Sequence, residues 1–227
     1  MITETHMTTQ LQTFRYRRVY PSVKRVLDLM ICLAILPFIL VATAIIAVAI
    51  YIDSPGHIFF SQERVGLGGR RFKIFKFRTL QPDHDQLSSR DFMIAFINGE
   101  IGQDTDGETK IFKPVHTKDV TAVGRFLRKT SLDELPQIIN VFRGDMSLVG
   151  PRPNVSWEVD AYKDWHKQRL AVLPGITGLA QVKGRSCLPF DTIVNYDIEY
   201  VNRQSLRLDL QILWLTAMSV VSGRGAG

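Results

Sequence analysis

The sequence predicts an α+β, mostly helical fold: a single re-entrant N-terminal membrane helix followed by a compact membrane-associated domain. Three observations carry the prediction. Residues 29–52, LMICLAILPFILVATAIIAVAIYI, run 24 residues without a charge, which passes the length a membrane helix needs. Basic residues flank both ends: Arg15, Arg17, Arg18, Lys24 and Arg25 before, Arg64, Arg70, Arg71, Lys73, Lys76 and Arg78 after. Beyond them, one alternating stretch gives way to several segments of helical period.

The membrane helix comes first. Its run is too long for a signal-peptide core, and no small-residue cleavage site closes it. Both basic flanks prefer the cytoplasmic side, so a simple span would leave one of them misplaced. A helix that enters, bends and leaves by the same face removes the conflict. Pro37 supplies a bend, because it deletes a backbone donor and clashes with the preceding turn. The chain thus divides into a basic arm over 1–22, a membrane-inserted helix over 23–53 and a domain over 54–227.

Ser54-Pro55-Gly56 ends the run. Phe72, Ile74 and Phe77 then set against Arg71, Lys73 and Lys76, which predicts a hairpin turning at Gly68-Gly69. Residues 81–118 are polar and acidic and read as an insertion or lid. They hold two D-x-D triplets, 83–85 and 104–106, a pattern that binds metal–nucleotide in many glycosyltransferases and that loops also acquire by chance. Helices are expected over 119–129, 133–143, 154–171 and 191–221. Trp157, Tyr162 and Trp165 fit either a core stripe or a helix lying in lipid headgroups. Asp209 stands in an otherwise apolar helix and requires a partner.

Composition narrows the function classes. The 227 residues carry a net charge of +6 and a pI near 9.4, which favours anionic partners. The basic residues are not interleaved with aromatics, and no Walker A, G-x-G-x-x-G, nucleophile elbow or RNA-binding signature occurs, so nucleic acid is not expected. Five histidines lack zinc spacing, and Cys32 and Cys187 do not suggest a bridge. Three stretches remain as candidates. In RKTSLDELPQ (128–137), Ser131 and Glu134 form the pattern of a capping box, while Asp133 and Glu134 also make an adjacent carboxylate pair. GDMSLVGPRP (144–153) pins Arg152 between two prolines, which holds a guanidinium still for a phosphate. LPGITGLAQVKGR (173–185) carries three glycines and ends in Lys183 and Arg185, suiting close approach of backbone to a ligand.

Taken in order, KRVLDL, DSPGHIFFSQERVG, FKIFKFRT, VGRFLRKTSLDELPQIINVFRGDMSLVGPRP, PGITGLAQVKGR, LDLQIL and SGRG resemble the bacterial sugar transferase family, the monotopic phosphoglycosyl transferases. The matching stretches cover nearly everything from Lys24 onward. The resemblance implies transfer of a sugar 1-phosphate from a UDP-sugar to undecaprenyl phosphate, with release of UMP and a need for Mg²⁺. It implies the bacterial inner membrane, with a catalytic domain on the cytoplasmic face among membrane lipids, and it leaves room for a homo-oligomer. It further implies Asp133 as nucleophile and Mg²⁺ ligand, which the helix N-terminus, Arg128 and Lys129 would keep ionised, with Glu134 beside it to assist proton removal or metal positioning. Arg152, Arg128 and Lys76 would hold phosphate; Gly178, Gln181 and Arg185 would hold the nucleotide; Asp209 would be a further essential acid. The family's helix breaks at a Ser-Pro pair near its middle, whereas here Val41 stands in that register and Pro37 follows Leu36. Rival readings are a D-x-D glycosyltransferase releasing UDP and a non-catalytic membrane assembly protein.

Overall fold

The computed structural model describes residues 2–81, 87–99, 119–184 and 188–222. Helix α1 (Ile2–Asp53) leads into a hairpin of β1 (Phe59–Val65) and β2 (Arg71–Phe77). Then follow α2 (Leu87–Asn98), α3 (Ala122–Thr130), a 3₁₀ helix (Leu132–Gln137), α4 (Ile138–Arg143), β3 (Ser147–Val149) and α5 (Ser156–Asp160). A second 3₁₀ helix (Asp164–Ala171), β4 (Gly175–Thr177), α6 (Leu179–Lys183), α7 (Phe190–Arg203) and α8 (Leu206–Ser222) complete the order. The described residues are mostly helical, with two small two-stranded sheets.

Helix α1 continues through Pro21 and Pro37 without a break in its secondary structure. One stripe faces the domain: Tyr20, Lys24, Asp28, Cys32, Leu36, Ile39, Thr43, Ile46 and Ile50 recur at steps of three or four. The opposite side, including Met30, Leu33, Phe38, Val41, Ile45, Val48 and Ile52, is apolar and exposed. By length and composition Val19–Asp53 can cross a membrane, and only 11% of its apolar window is buried.

Both ends of this helix grip the same domain. Near the start, Arg25 Nη1 donates to the Val141 carbonyl (2.5 Å) and Ser147 Oγ to Asp28 (2.7 Å). Near the end, the Val123 amide donates to Asp53 Oδ2 (2.9 Å), and Ile46 and Ile50 pack with Phe77 and Leu127. A straight helix from Lys24 to Asp53 is about 44 Å long, more than the hydrocarbon core, so a perpendicular span would place these ends on opposite faces.

The hairpin forms as the alternation predicts. β1 and β2 pair antiparallel from Phe59↔Phe77 to Val65↔Arg71, and Phe72, Ile74 and Phe77 are buried. Gly68 and Gly69 carry the turn at φ 62° and 83°. The larger core joins Cys32, Phe72, Ile74, Val141, Met146, Tyr200 and Ile212.

Two helix expectations need correction. The helix expected over 154–171 is two short pieces, interrupted where Tyr162 turns inward to meet Phe190 and Val194. Tyr162 and Trp165 therefore take the core role rather than a headgroup role. The helix expected over 191–221 breaks at Gln204 and Ser205, where the Ser205 hydroxyl accepts the Leu208 amide as a new N-cap (3.2 Å). The segment read as an insertion or lid contributes α2, whose Ile97 is buried against Tyr162, Phe190 and Val194. Both D-x-D triplets, together with Arg185 and Cys187, lie outside the described residues.

β3 and β4 pair in parallel through a glycine seam. A Cβ on Gly175 would lie 2.1 Å from the Gly150 nitrogen and 2.3 Å from the Thr177 carbonyl oxygen, both backbone atoms with nowhere to move. Gly175→Ala is expected to cost about 3 kcal/mol, the upper end of overpacking. Gly68→Ala, open on all sides, should cost only about 1 kcal/mol for its left-handed φ. Denaturant unfolding in detergent checks both; equal costs would remove the steric account of the seam.

Candidate active site

The site begins at a backbone turn. Thr121 caps α3 by accepting the Gly124 amide (2.9 Å), and Ser131 ends it in the left-handed region at φ 58°, ψ 18°. Ser131 is the only non-glycine with positive φ among the described residues. The reversal sends Asp133 and Glu134 into the first turn of the 3₁₀ helix Leu132–Gln137.

The capping box does not form. Ser131 makes no side-chain cap bond, because it already serves as the C-terminal turn of the preceding helix. The Glu134 carboxylate turns instead to two cations. Lys76 Nζ from β2 donates to its Oε1 at 2.7 Å, and Arg152 Nη1 lies 2.9 Å from the same oxygen. Lys76 also stands 3.9 Å from Asp133 Oδ2. Arg128 interacts with Asp133 by charge while its Nε donates to Thr79 Oγ1 (3.1 Å). Lys129 is exposed on α3.

Asp133 and Glu134 are neighbours in sequence and opposites in acidity. Burial pushes Glu134 up, but the charges and hydrogen bonds of Arg152 and Lys76 together outweigh it and hold the carboxyl at about 2. Burial also pushes Asp133 up, and the Glu134 charge adds to the rise; Lys76, Arg152 and Arg128 only partly oppose it. The charge of Arg128 thus favours the ionised Asp133 as expected, but burial outweighs it in the direction of the shift. The desolvating environment is what composition cannot show. Burial lowers Lys76, while Glu134 raises Arg152.

Three cations (Lys76, Arg128, Arg152) surround two carboxylates, leaving a net positive site open to an anion. The Arg152 side chain is 49% exposed despite its ion pair, so its fork is accessible to a ligand. Its position is fixed by neighbouring loops. The Gly150 amide donates to the Thr177 carbonyl and the Gly175 amide to the Pro151 carbonyl, each at 2.9 Å.

The remaining site candidates fall elsewhere. Gly178 packs its backbone against Gly150, where a Cβ would meet the Gly150 carbonyl oxygen at 2.3 Å. Gln181 Nε2 donates to the Ile176 carbonyl (3.0 Å), bracing the same loop. Asp209 is buried and accepts from Tyr20 (2.7 Å), Lys24 (3.0 Å) and Tyr200 (2.8 Å). It joins α1, α7 and α8 and contacts none of the cluster around Glu134. Sequence reading passed over Arg64 and Arg169 as site residues. Arg64 Nη1 donates to the Pro153 carbonyl (3.2 Å) and Arg169 Nη2 to that of Arg152 (3.1 Å). Local spacing singles out neither, since Arg64 follows Gln62-Glu63 and Arg169 follows Lys167-Gln168.

Magnesium is tested by the donor set. Glu134 is consumed by two cations, and Asp133 is the carboxylate left beside them. Among the described residues no group of three or more His, Cys, Asp or Glu side chains could cage a metal. Magnesium commonly takes one or two carboxylates and completes its shell with water and substrate phosphates, so Asp133 fits such a site.

A family model described as bacterial sugar transferase matches residues 19–223. The chain is 42% identical over 172 residues to the galactosyl transferase CpsE of Streptococcus agalactiae, covering 75% of this chain and 36% of that protein. It is 41% identical over 189 residues to the UDP-glucose:undecaprenyl-phosphate glucose-1-phosphate transferase of Xanthomonas campestris, covering 80% and 35%. The exopolysaccharide production protein ExoY of Rhizobium meliloti is 39% identical over 171 residues, covering 75% and 73%. The match therefore spans about a third of the first two relatives, at 36% and 35%, and most of the third.

Two outcomes follow from the geometry. Replacing Ser131 by Gly removes the left-handed penalty and should stabilise the fold by about 1 kcal/mol; a capping role would instead make the change costly, as thermal melting distinguishes. Glu134, lowered from 4.5 to about 2, adds stability above pH 4.5 that fades as pH falls toward 2. The stability gap between wild type and Glu134→Gln should reach about 3 kcal/mol near neutrality and close between pH 5 and 2. A gap constant with pH would contradict the ion-pair assignment.

Proposed function

This chain belongs to the bacterial sugar transferase family, and from that premise we propose that it transfers a sugar 1-phosphate from a UDP-sugar to undecaprenyl phosphate, releasing UMP. The observation that carries the reading is the pair of adjacent carboxylates driven apart in acidity beneath the half-exposed Arg152. Relatives named for undecaprenyl-phosphate phosphotransfer and for exopolysaccharide production support it.

The reaction exchanges one phosphoanhydride for another, so its difficulty is kinetic: an anion must approach an anionic phosphorus. Three cations lower that repulsion. Asp133 attacks the phosphorus that bears the sugar, forming an aspartyl–phosphorus bond. The anhydride bond breaks, and UMP leaves with the bridging oxygen and its electron pair. An oxygen of undecaprenyl phosphate then attacks the same phosphorus and displaces the Asp133 carboxylate, restoring the enzyme. A raised proton affinity gives the ionised Asp133 greater basicity than a free aspartate, which favours bond formation. Glu134, at about 2, is a weak base and serves as the counter-ion that holds Lys76 and Arg152 in place.

Asp133 would hold Mg²⁺ together with the donor diphosphate; when bound, the ion neutralises charge as UMP departs. Arg152 offers its free N–H groups to a phosphate, helped by Arg128 and Lys76.

The lipid acceptor lies at a membrane surface, and α1 supplies the anchor. Its exposed apolar face and the attachment of both its ends to one domain support a re-entrant helix, and such an anchor would set the site at the bacterial inner membrane, on the cytoplasmic face. There the product would initiate exopolysaccharide, capsule, O-antigen or glycan assembly.

Purified protein incubated with UDP-sugars, undecaprenyl phosphate and Mg²⁺ should release UMP, and Asp133→Asn should abolish release without unfolding the chain. Release of UDP would overturn phosphosugar transfer in favour of glycosyl transfer. Full turnover by Asp133→Asn would exclude Asp133 as nucleophile.

A further inference from the structure

Behind Arg152 lies a buried guanidinium that the chemistry above does not use. Arg169 is 3% exposed and sits in the 3₁₀ helix Asp164–Ala171. Its two terminal nitrogens reach four oxygens. Nη1 donates to Tyr162 OH (2.8 Å) and Asn154 Oδ1 (3.2 Å), and Nη2 donates to the Arg152 carbonyl (3.1 Å) and pairs with Asp197 Oδ2 (2.5 Å). Asp197, 2% exposed on α7, is its buried counter-charge.

These contacts complete a chain of backbone restraints. Starting at residue 150, the Gly150 amide is held by Thr177 and the Pro151 carbonyl by Gly175. The Arg152 carbonyl is held by Arg169, that of Pro153 by Arg64, and that of Asn154 by the Val65 amide (2.8 Å). Five consecutive residues are thus pinned to three separate elements, β4, the second 3₁₀ helix and β1, although most of the segment has no secondary structure of its own. Among the described residues, only Arg169 takes hold of both the main chain of residue 152 and the side chain of residue 154. An apolar side chain would fill the same space at less desolvation cost but could not set an orientation.

We infer that Arg169, held by Asp197, is a positioning residue for Arg152, fixing the main chain so that one guanidinium reaches both Glu134 and a phosphate of the donor. The inference rests on the reading of Arg152 as the phosphate clamp. Lysine has three donors on one tetrahedral nitrogen and cannot reproduce the four-point planar contact.

The test is a double-mutant cycle on the full chain, with donor kinetics measured for wild type, Arg169→Lys, Arg152→Ala and the pair. Arg169→Lys should lower kcat/KM for the UDP-sugar by at least about tenfold in the wild-type background. In the Arg152→Ala background it should change the rate by less than about twofold, because the group it positions is gone. Equal fold losses in both backgrounds would make Arg169 a fold element only and overturn the inference, as would wild-type kinetics in Arg169→Lys. Should Arg169→Lys fail to fold, Tyr162→Phe removes one of the four acceptors, keeps the ring, and enters the same cycle with the same two outcomes. Thermal-shift binding of inorganic pyrophosphate repeats the cycle without turnover. Non-additive loss there in a wild type that releases no UMP would fail the reaction and sustain the positioning role; additive loss would fail the positioning role itself.

Discussion

Glu134 buried between Lys76 and Arg152 is the constraint on which the site depends. Its oxygen Oε1 lies within hydrogen-bond distance of a lysine from the hairpin and an arginine from the proline loop. The carboxylate itself comes from the turn after α3, so one atom ties three segments together. Remove the charge, and two cations face each other in a partly desolvated space, where uncompensated charge is costly. Keep it, and both cations are oriented with N–H groups to spare.

The same arrangement separates two carboxylates that sequence sets side by side. One is surrounded by cations that overcome its burial; the other is buried with less compensation and feels its neighbour's negative charge. Environments that drive paired carboxyls apart are a recurring basis for dividing chemical roles. The left-handed Ser131 places them so, and its backbone strain sits at the site rather than in a peripheral loop.

Anchor and site are mechanically continuous. The inner stripe of α1 enters the main core through Cys32, and its ends bind α3, α4, β3 and α8. Asp209 belongs to this joint. Its three donors come from Tyr20 and Lys24 on α1 and Tyr200 on α7, which explains an acid in an apolar helix without placing it at the reacting atoms. A domain held this way cannot tilt freely with respect to its long apolar helix, which suits the proposed reaction between a dissolved donor and a lipid-bound acceptor.

The sequence by itself determined the apolar helix, the hairpin with Phe72, Ile74 and Phe77 inward, and the residue types that form the charged cluster. These follow from uncharged length, period-two alternation and proline-fixed backbone, all of which are local. Only the tertiary structure decided what Glu134 binds. Its partner Lys76 is 58 residues away, and the capping pattern S-x-x-E is equally consistent with a carboxylate that never meets a lysine. Likewise the direction of the Asp133 shift, the bracing of Arg152 by Arg169 and the removal of Asp209 to the α1 joint depend on burial and on side chains arriving from distant elements. Hydrophobic period is a property of one segment, whereas desolvation and ion pairing belong to the space between segments, and that space exists only once the chain has folded.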